Sequence, residues 1–429
     1  MLKQIATLGL FALLIAGISG MTDAQPSGYI YDEAAVPTYD LPDPLVMSNG
    51  KQVSNIRQWE NKRRPEILQM FEEQMYGKMP GLPESMNFAL KSEVTDVFGG
   101  KATRKQVTVY FTEDQTGPKM DIQIYLPNNF DAPAPLFVGL NFYGNQTIYP
   151  DAAIQITDQW VNNNDEFGID NNTASDASRG ERTKRWPVEA LINRGYGLAT
   201  IYYGDLDPDY SGDWSNGVHP LFYDAGQTQP AGDEWGAIGA WAWGLGRAMD
   251  YFETDGDINH EQVAVMGHSR LGKASLWAGA YDQRFAIVIS NNSGCGGAAL
   301  SKRQFGETVQ RINTSFPHWF CDNFTRYNGK EDTLPFDQHM LVALVAPRPL
   351  YITSASKDLW ADPRGEFLSG KHASPVYELY DQQGIGDLEM PDLNEPVMRT
   401  IGYHIRPGQH DVTLYDWERW MDFADKHFR

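Results

Sequence analysis

Val263-Ala-Val-Met-Gly267-His268-Ser269-Arg270-Leu271-Gly272-Lys273, continued by Ala274-Ser-Leu-Trp-Ala-Gly-Ala280, is the stretch from which the fold is read. A short apolar run enters Gly267 and Ser269, and a helix-forming stretch leaves them. A nucleophile elbow requires this context: a sharp strand-to-helix turn lifts the serine hydroxyl above the sheet. The helix N-terminus then supplies amide donors and a positive dipole where an oxyanion would develop. The common elbow pattern is Gly-x-Ser-x-Gly; here the second glycine falls one position late, with Leu271 in its place. A structural serine in an ordinary turn is the competing reading. The backbone amide of Arg270 is placed to act as one oxyanion donor and its guanidinium as a charged one. Lys273 follows one helical turn on and faces the same pocket mouth.

Outward from this segment, near-continuous apolar runs at 136–142, 198–202, 263–266, 287–289 and 350–353 suit parallel strands covered on both faces. Helical patterns at 186–194, 235–252 and 273–281 alternate with them. Upstream, 106–112 and 120–126 alternate as half-buried antiparallel strands do, and a helix is expected over 66–77. This order predicts an α/β-hydrolase fold, a three-layer sandwich around a mostly parallel sheet. The expected organisation is a leader at 1–24 and one catalytic domain at 25–429. That domain carries an N-terminal extension (about 25–90) and a polar, strandless surface insertion (about 149–185) near the loops that bind ligand.

In this fold the triad runs serine, acid, histidine. His219 and His260 precede the serine and His268 adjoins it, leaving His404 and His410 among the late candidates. His410 stands in a loop before the amphipathic C-terminal helix and is the favoured base; His404 lies inside an apolar stretch and is expected to pack. Asp358 follows the apolar run 350–353 and is the expected acid, holding the imidazole tautomer. Asp362 and Asp411 are its competitors.

The chain has 429 residues, 41% of them hydrophobic, ample for a large core, and a net charge of −21. An acidic chain of this kind argues against nucleic acid and anionic lipid as partners. Lys3, the apolar run 5–18 and the small residues before Gln25 read as a signal peptide rather than a membrane span, so export to the periplasm or beyond is expected. Cys295 and Cys321 either pair or remain two buried thiols. No Cys/His cluster has metal-ligand spacing, so no metal site is expected.

Five segments, in order, resemble the glucuronoyl esterases of carbohydrate esterase family fifteen: Gly267-His-Ser-Arg-Leu-Gly-Lys273, Ser293-Gly-Cys-Gly-Gly297, Pro317-His-Trp-Phe320, Leu334-Pro-Phe-Asp-Gln-His-Met340 with Ala346-Pro-Arg348, and Gly408-Gln-His410. The late glycine of the elbow is that family's own pattern. The resemblance implies Ser269 as nucleophile, His410 as base and Arg270 as oxyanion stabiliser. It also implies that Lys273 contacts sugar hydroxyls while Glu307 and Trp360 line a uronate pocket. The implied substrate is an ester of glucuronoxylan, as in lignin–carbohydrate linkages, cleaved by a cofactor-free monomer. Two departures stand out. Asn292 occupies the position where many members carry the triad glutamate, which leaves the role to Asp358. His268 and Asp411 stand where fungal members place bridging cysteines, so a more mobile His410 loop is expected.

Overall fold

The computed structural model describes residues 25–129 and 133–428. The candidate leader at 1–24 lies outside the described residues. A single ten-stranded sheet runs through the molecule in the order β1-β2-β3-β5-β4-β6-β7-β8-β10-β9. Its strands are β1 Asn87–Asp96, β2 Ala102–Tyr110, β3 Lys119–Pro127, β4 Ala134–Asn141, β5 Gly197–Tyr202, β6 Ile258–His268, β7 Ile287–Asn291, β8 Leu350–Ala355, β9 Val397–Met398 and β10 Ile401–Arg406. From β5 to β10 every neighbouring pair is parallel, whereas β1 to β3 and the edge strand β9 pair antiparallel.

The all-apolar parallel strands are buried on both faces because helices cover each side. The helices Ala237–Phe252, Arg270–Tyr281 and Pro363–Glu378 contribute to one core, around Trp241, Trp277 and Phe336. Val188–Arg194 and the C-terminal helix Leu414–Phe428 close the other, around Trp186, Trp417, Trp420 and Tyr351. This is the expected α/β-hydrolase sandwich.

Three elements differ from the sequence reading. The strands expected to be half-buried, β2 and β3, are almost wholly buried. Two of their charged residues face partners rather than water: Lys105 Nζ bonds Asp255 and Asp257, each at 2.7 Å, and Arg104 pairs with Asp151 of the polar segment 149–185. Strand β1 has no apolar signal because it is an edge strand without a buried residue. The helix expected over 66–77 starts earlier, at Ile56, and continues through two wide turns to Tyr76. Gly77 stops it at φ +84°, where a side chain would strike the Glu234 carbonyl.

Strand β10 carries a buried polar cluster that fixes the C-terminal helix. Asp416 accepts from His404 Nε2 at 2.9 Å, from Arg406 Nε at 2.8 Å and from the Thr413 amide at 2.7 Å. His404 Nδ1 meets the Tyr351 hydroxyl at 3.0 Å, so both ring nitrogens are committed. His404 packs, as expected. Removing the carboxylate leaves the buried Arg406 cation without its counter-ion. Asp416→Ala should therefore lower unfolding free energy by about 3–5 kcal/mol, read as the shift of the urea midpoint; a shift equivalent to less than about 1 kcal/mol would show that the cluster is inert.

Candidate active site

The elbow forms where β6 ends. Ser269 sits at φ +58°, ψ −129°, a strained conformation for a residue with a side chain, and caps the helix Arg270–Tyr281. Its amide donates to the Asn291 carbonyl at 2.9 Å, which fastens the turn to the end of β7. A Cβ on Gly267 would stand 1.9 Å from the Leu271 carbonyl oxygen, so only glycine fits. A Cβ on Gly272 would lie 3.0 Å from both the Gly267 carbonyl and the Ser293 side chain. The late glycine thus serves the close approach of helix and strand, while Leu271 itself is buried. As first residue of the helix, Arg270 has a backbone N–H with no intrahelical acceptor, free to face a developing oxyanion.

Asp358 lies just beyond β8, buried, and accepts from His410 Nδ1 at 2.6 Å and from Asn292 Nδ2 at 2.8 Å. Burial would raise its pKa, but His410 and these hydrogen bonds hold the carboxyl below its ordinary value. An ionised carboxylate can only accept, so Nδ1 of His410 carries a proton and, in the neutral ring, Nε2 is the nitrogen left to accept one. Asn292, standing where the resemblance implies a glutamate in many members, is therefore a donor to Asp358. His268, next to the nucleophile, brings its ring within 4.4 Å of the His410 ring. Burial first, then repulsion from His410 and Arg185, push the His268 pKa well below 6.5. It stays neutral and packs against the His410 ring.

The loop expected to be loose for want of a disulfide has other anchors. Arg185, at the end of the 149–185 segment, pairs with Asp411 at 2.5 Å. Arg406 donates to the carbonyls of Gln409 at 3.2 Å and Asp411 at 2.5 Å, and Asn291 Nδ2 reaches the Asp411 carbonyl at 3.2 Å. Cys295 and Cys321 are separate buried thiols. Among the described residues no group of three or more His, Cys, Asp or Glu could hold a metal ion.

On the other side of Ser269 the Arg270 guanidinium pairs with buried Asp209 and lies 4.7 Å over the Trp319 ring. Asp209 also accepts from His318 Nε2 at 2.9 Å, Trp319 Nε1 at 2.7 Å and the Tyr203 hydroxyl at 3.0 Å. Burial opposes its charge, but Arg270 and His318 hold its carboxyl far below the usual range. Sequence reasoning missed Asp209 because it stands in an acidic run, Gly204-Asp-Leu-Asp-Pro-Asp209, that offers three equivalent carboxylates. Its partners lie in the Pro317–Phe320 motif, which was the available signal.

Lys273 is buried rather than at an open mouth: its Nζ donates to the Ser293 carbonyl at 2.5 Å and stands 5.8 Å over Trp319. Burial lowers its pKa, while the nearby Glu307 opposes the shift. Burial raises the Glu307 pKa against the pull of Lys273 and Arg270. The Glu307 amide bonds the Trp360 carbonyl at 3.1 Å, so two residues of the expected sugar pocket are adjacent.

Beneath the site Glu366 is fully buried and accepts from the Gly294 amide at 3.0 Å and Ser354 Oγ at 2.6 Å. Burial pushes its carboxyl up to about 8, these hydrogen bonds offsetting only part of the shift. A raised pKa means that the folded state holds the proton more tightly. The stabilisation is complete below the unfolded carboxyl value, near 4.3, and is lost as pH rises through about 8. The melting temperature should fall from about pH 5 to pH 8 and level off above it, and Glu366→Gln should flatten that slope; an unaltered slope in the variant would refute the assignment. A second expectation concerns the elbow: Gly267→Ala should yield either insoluble protein or protein without esterase activity, checked by solubility and turnover, and normal turnover would contradict the close approach.

A family model described as "Glucuronyl esterase, fungi" matches residues 192–381. The carbohydrate esterase MZ0003, from an unknown prokaryotic organism, is 56% identical over 405 residues, covering 94% of this chain and 93% of that protein. Two solved structures superpose at a TM-score of 0.88. One is a promiscuous CE15 esterase from a marine bacterial metagenome, 55% identical over 93% of this chain and 100% of that one. The other is a glucuronoyl esterase from Solibacter usitatus, 48% identical over 92% of this chain and 100% of that one. With the late-glycine elbow and this extent of similarity, the chain belongs to the glucuronoyl esterases of carbohydrate esterase family 15, a family of carboxylic ester hydrolases.

Proposed function

We propose that the enzyme hydrolyses esters of glucuronic and 4-O-methylglucuronic acid borne on glucuronoxylan, as in lignin–carbohydrate linkages. The observation that carries this reading is the juxtaposition of Ser269, Arg270 on Asp209 and His410 on Asp358 with a buried Lys273 and a half-buried Glu307 whose amide bonds the Trp360 carbonyl. Charged groups of both signs suit the hydroxyls of a polyol, and an indole offers a face to a sugar ring.

In the proposed reaction His410 Nε2 takes the Ser269 proton as Oγ attacks the C6 carbonyl. The tetrahedral oxyanion faces the Arg270 amide and guanidinium, each donor contributing about 3 kcal/mol. The imidazolium gives its proton to the departing alcohol, and water hydrolyses the acyl-enzyme by the same route. Asp209 keeps the guanidinium in place before substrate arrives, and Asp358 stabilises the imidazolium. No cofactor enters the scheme.

The same reading takes 25–429 as one catalytic domain with an extension and an insertion, working as a monomer because both halves of the site come from one chain. Export is proposed from the sequence of residues 1–24. Among the described residues no helix is long and apolar enough to cross a membrane.

A broader specificity is the second reading, favoured by the promiscuity ascribed to the 55%-identical relative. Benzyl glucuronate and acetylated xylan separate the two. Turnover of the glucuronate should fall by more than about a thousandfold in Ser269→Ala and by about ten-thousandfold in Asp358→Asn. Activity confined to acetyl groups would reject the substrate assignment.

A further inference from the structure

The extension at 25–90 has no part in the triad, yet its first residues lie against the segment that carries Asp358 and Trp360. Gln25 Nε2 donates to the Lys357 carbonyl at 3.2 Å. The Ile30 carbonyl accepts from the Gly306 amide at 2.8 Å, and Ile30 forms a parallel bridge with Phe305. Gly306 is at φ +63°, and a Cβ there would stand 2.5 Å from the Trp360 carbonyl. Three strips of backbone, around residues 30, 306 and 360, are therefore layered directly on one another, with Glu307 following in the middle strip.

Side chains reinforce the layering. The Tyr29 ring meets the Trp360 ring edge-on, with centroids 4.8 Å apart and planes at 87°. The Tyr31 ring packs on Phe305 at 6.1 Å, and its hydroxyl donates to the Pro26 carbonyl at 3.1 Å, which closes the turn that presents Tyr29. Glu33 anchors the far end, pairing with Arg303 at 2.6 Å; Arg303 in turn holds Asp362 at 2.8 Å, two residues beyond Trp360. The Tyr29 hydroxyl has no hydrogen-bond partner among the described residues, and Tyr29, Tyr31 and Trp360 are all half-buried.

We propose that residues 25–33 form a strap completing one wall of the sugar pocket, and that Tyr29 is a positioning residue that sets the angle of Trp360 against the bound uronate ring. The proposal rests on the reading of Trp360 as a substrate contact. An indole pivots about two side-chain torsions, and a sugar ring is gripped only if the indole face is held parallel to it. The Glu307 amide fixes the backbone of Trp360 and its carboxyl draws on the indole N–H, whereas among the aromatic rings of the described residues Tyr29 alone packs on the indole and sets its tilt. Tyr29 thus acts on ground-state binding of the sugar, remote from the reacting carbonyl, and should affect KM with little effect on kcat.

The test uses the full chain with benzyl glucuronate. Tyr29→Ala should raise KM by about 3- to 10-fold, the size of one aromatic pair, with kcat within about twofold and the melting temperature preserved. Tyr29→Phe keeps the edge-to-face ring and should restore KM. In a Trp360→Ala background, Tyr29→Ala should add nothing further, since the effect passes through the indole. An unchanged KM in Tyr29→Ala, or full additivity with Trp360→Ala, overturns the proposal, as does equal loss of kcat in Tyr29→Ala and Tyr29→Phe. If the wild type does not turn over benzyl glucuronate, the substrate reading itself fails and the strap proposal falls with it; wild-type turnover together with an inert Tyr29→Ala sinks the strap alone.

Discussion

Side-by-side hydrogen bonding at the ends of three parallel strands is the constraint on which the catalytic arrangement depends. The Ser269 amide binds the Asn291 carbonyl at 2.9 Å, and the Asn292 amide binds the Thr353 carbonyl at 2.8 Å. β6, β7 and β8 therefore finish at one level, and the residues just past their ends, Ser269, Asn292 and Asp358, come out at a common rim. The next strand, β10, pairs parallel with β8 and feeds the loop bearing His410. The register of the ladder thus brings the segments bearing residues 269 and 358 to this rim, and the His410 loop reaches it through the 2.6 Å bond to Asp358.

The two flanks of Ser269 use opposite electrostatic solutions. On the His410 side the imidazole stands between a neutral His268 and an ionised, hydrogen-bonded Asp358. On the other side Arg270 is held permanently charged by a carboxylate that four donors keep ionised. A guanidinium freely rotating into solvent would have to be ordered during each turnover; with Asp209, Trp319 and Phe316 around it, that order exists beforehand.

Much of this could be read in the sequence because it depends on local pattern. The strand–Gly–x–Ser–helix context at 263–280, the apolar parallel runs and Asp358 after β8 all carry their meaning within a few residues. His410, which the structure places on Asp358, was singled out by its place before an amphipathic helix. What stayed hidden depends on distant partners. Nothing near Lys105 or Arg104 in the sequence announces their burial, since their counter-ions Asp255, Asp257 and Asp151 lie far along the chain. Strand β1 has no buried side to leave a period. Asp209 is one acidic loop residue among several, distinguished only by four donors brought to it in space. The anchors of the His410 loop were missed for the same reason: Arg185 lies more than two hundred residues before Asp411.

The two cysteines lead to a different kind of conclusion. Both are buried, and burial pushes the thiol of Cys321 up to about 11 and that of Cys295 well above its usual value. Neither ionises appreciably at neutral pH, so neither is a ready nucleophile toward oxidants or mixed disulfides. Chain crossings that a covalent bridge would secure are held here by Arg185, Arg406 and Asp416. The native topology is consequently independent of redox potential, and a reducing cytoplasm imposes no chemical barrier to reaching it.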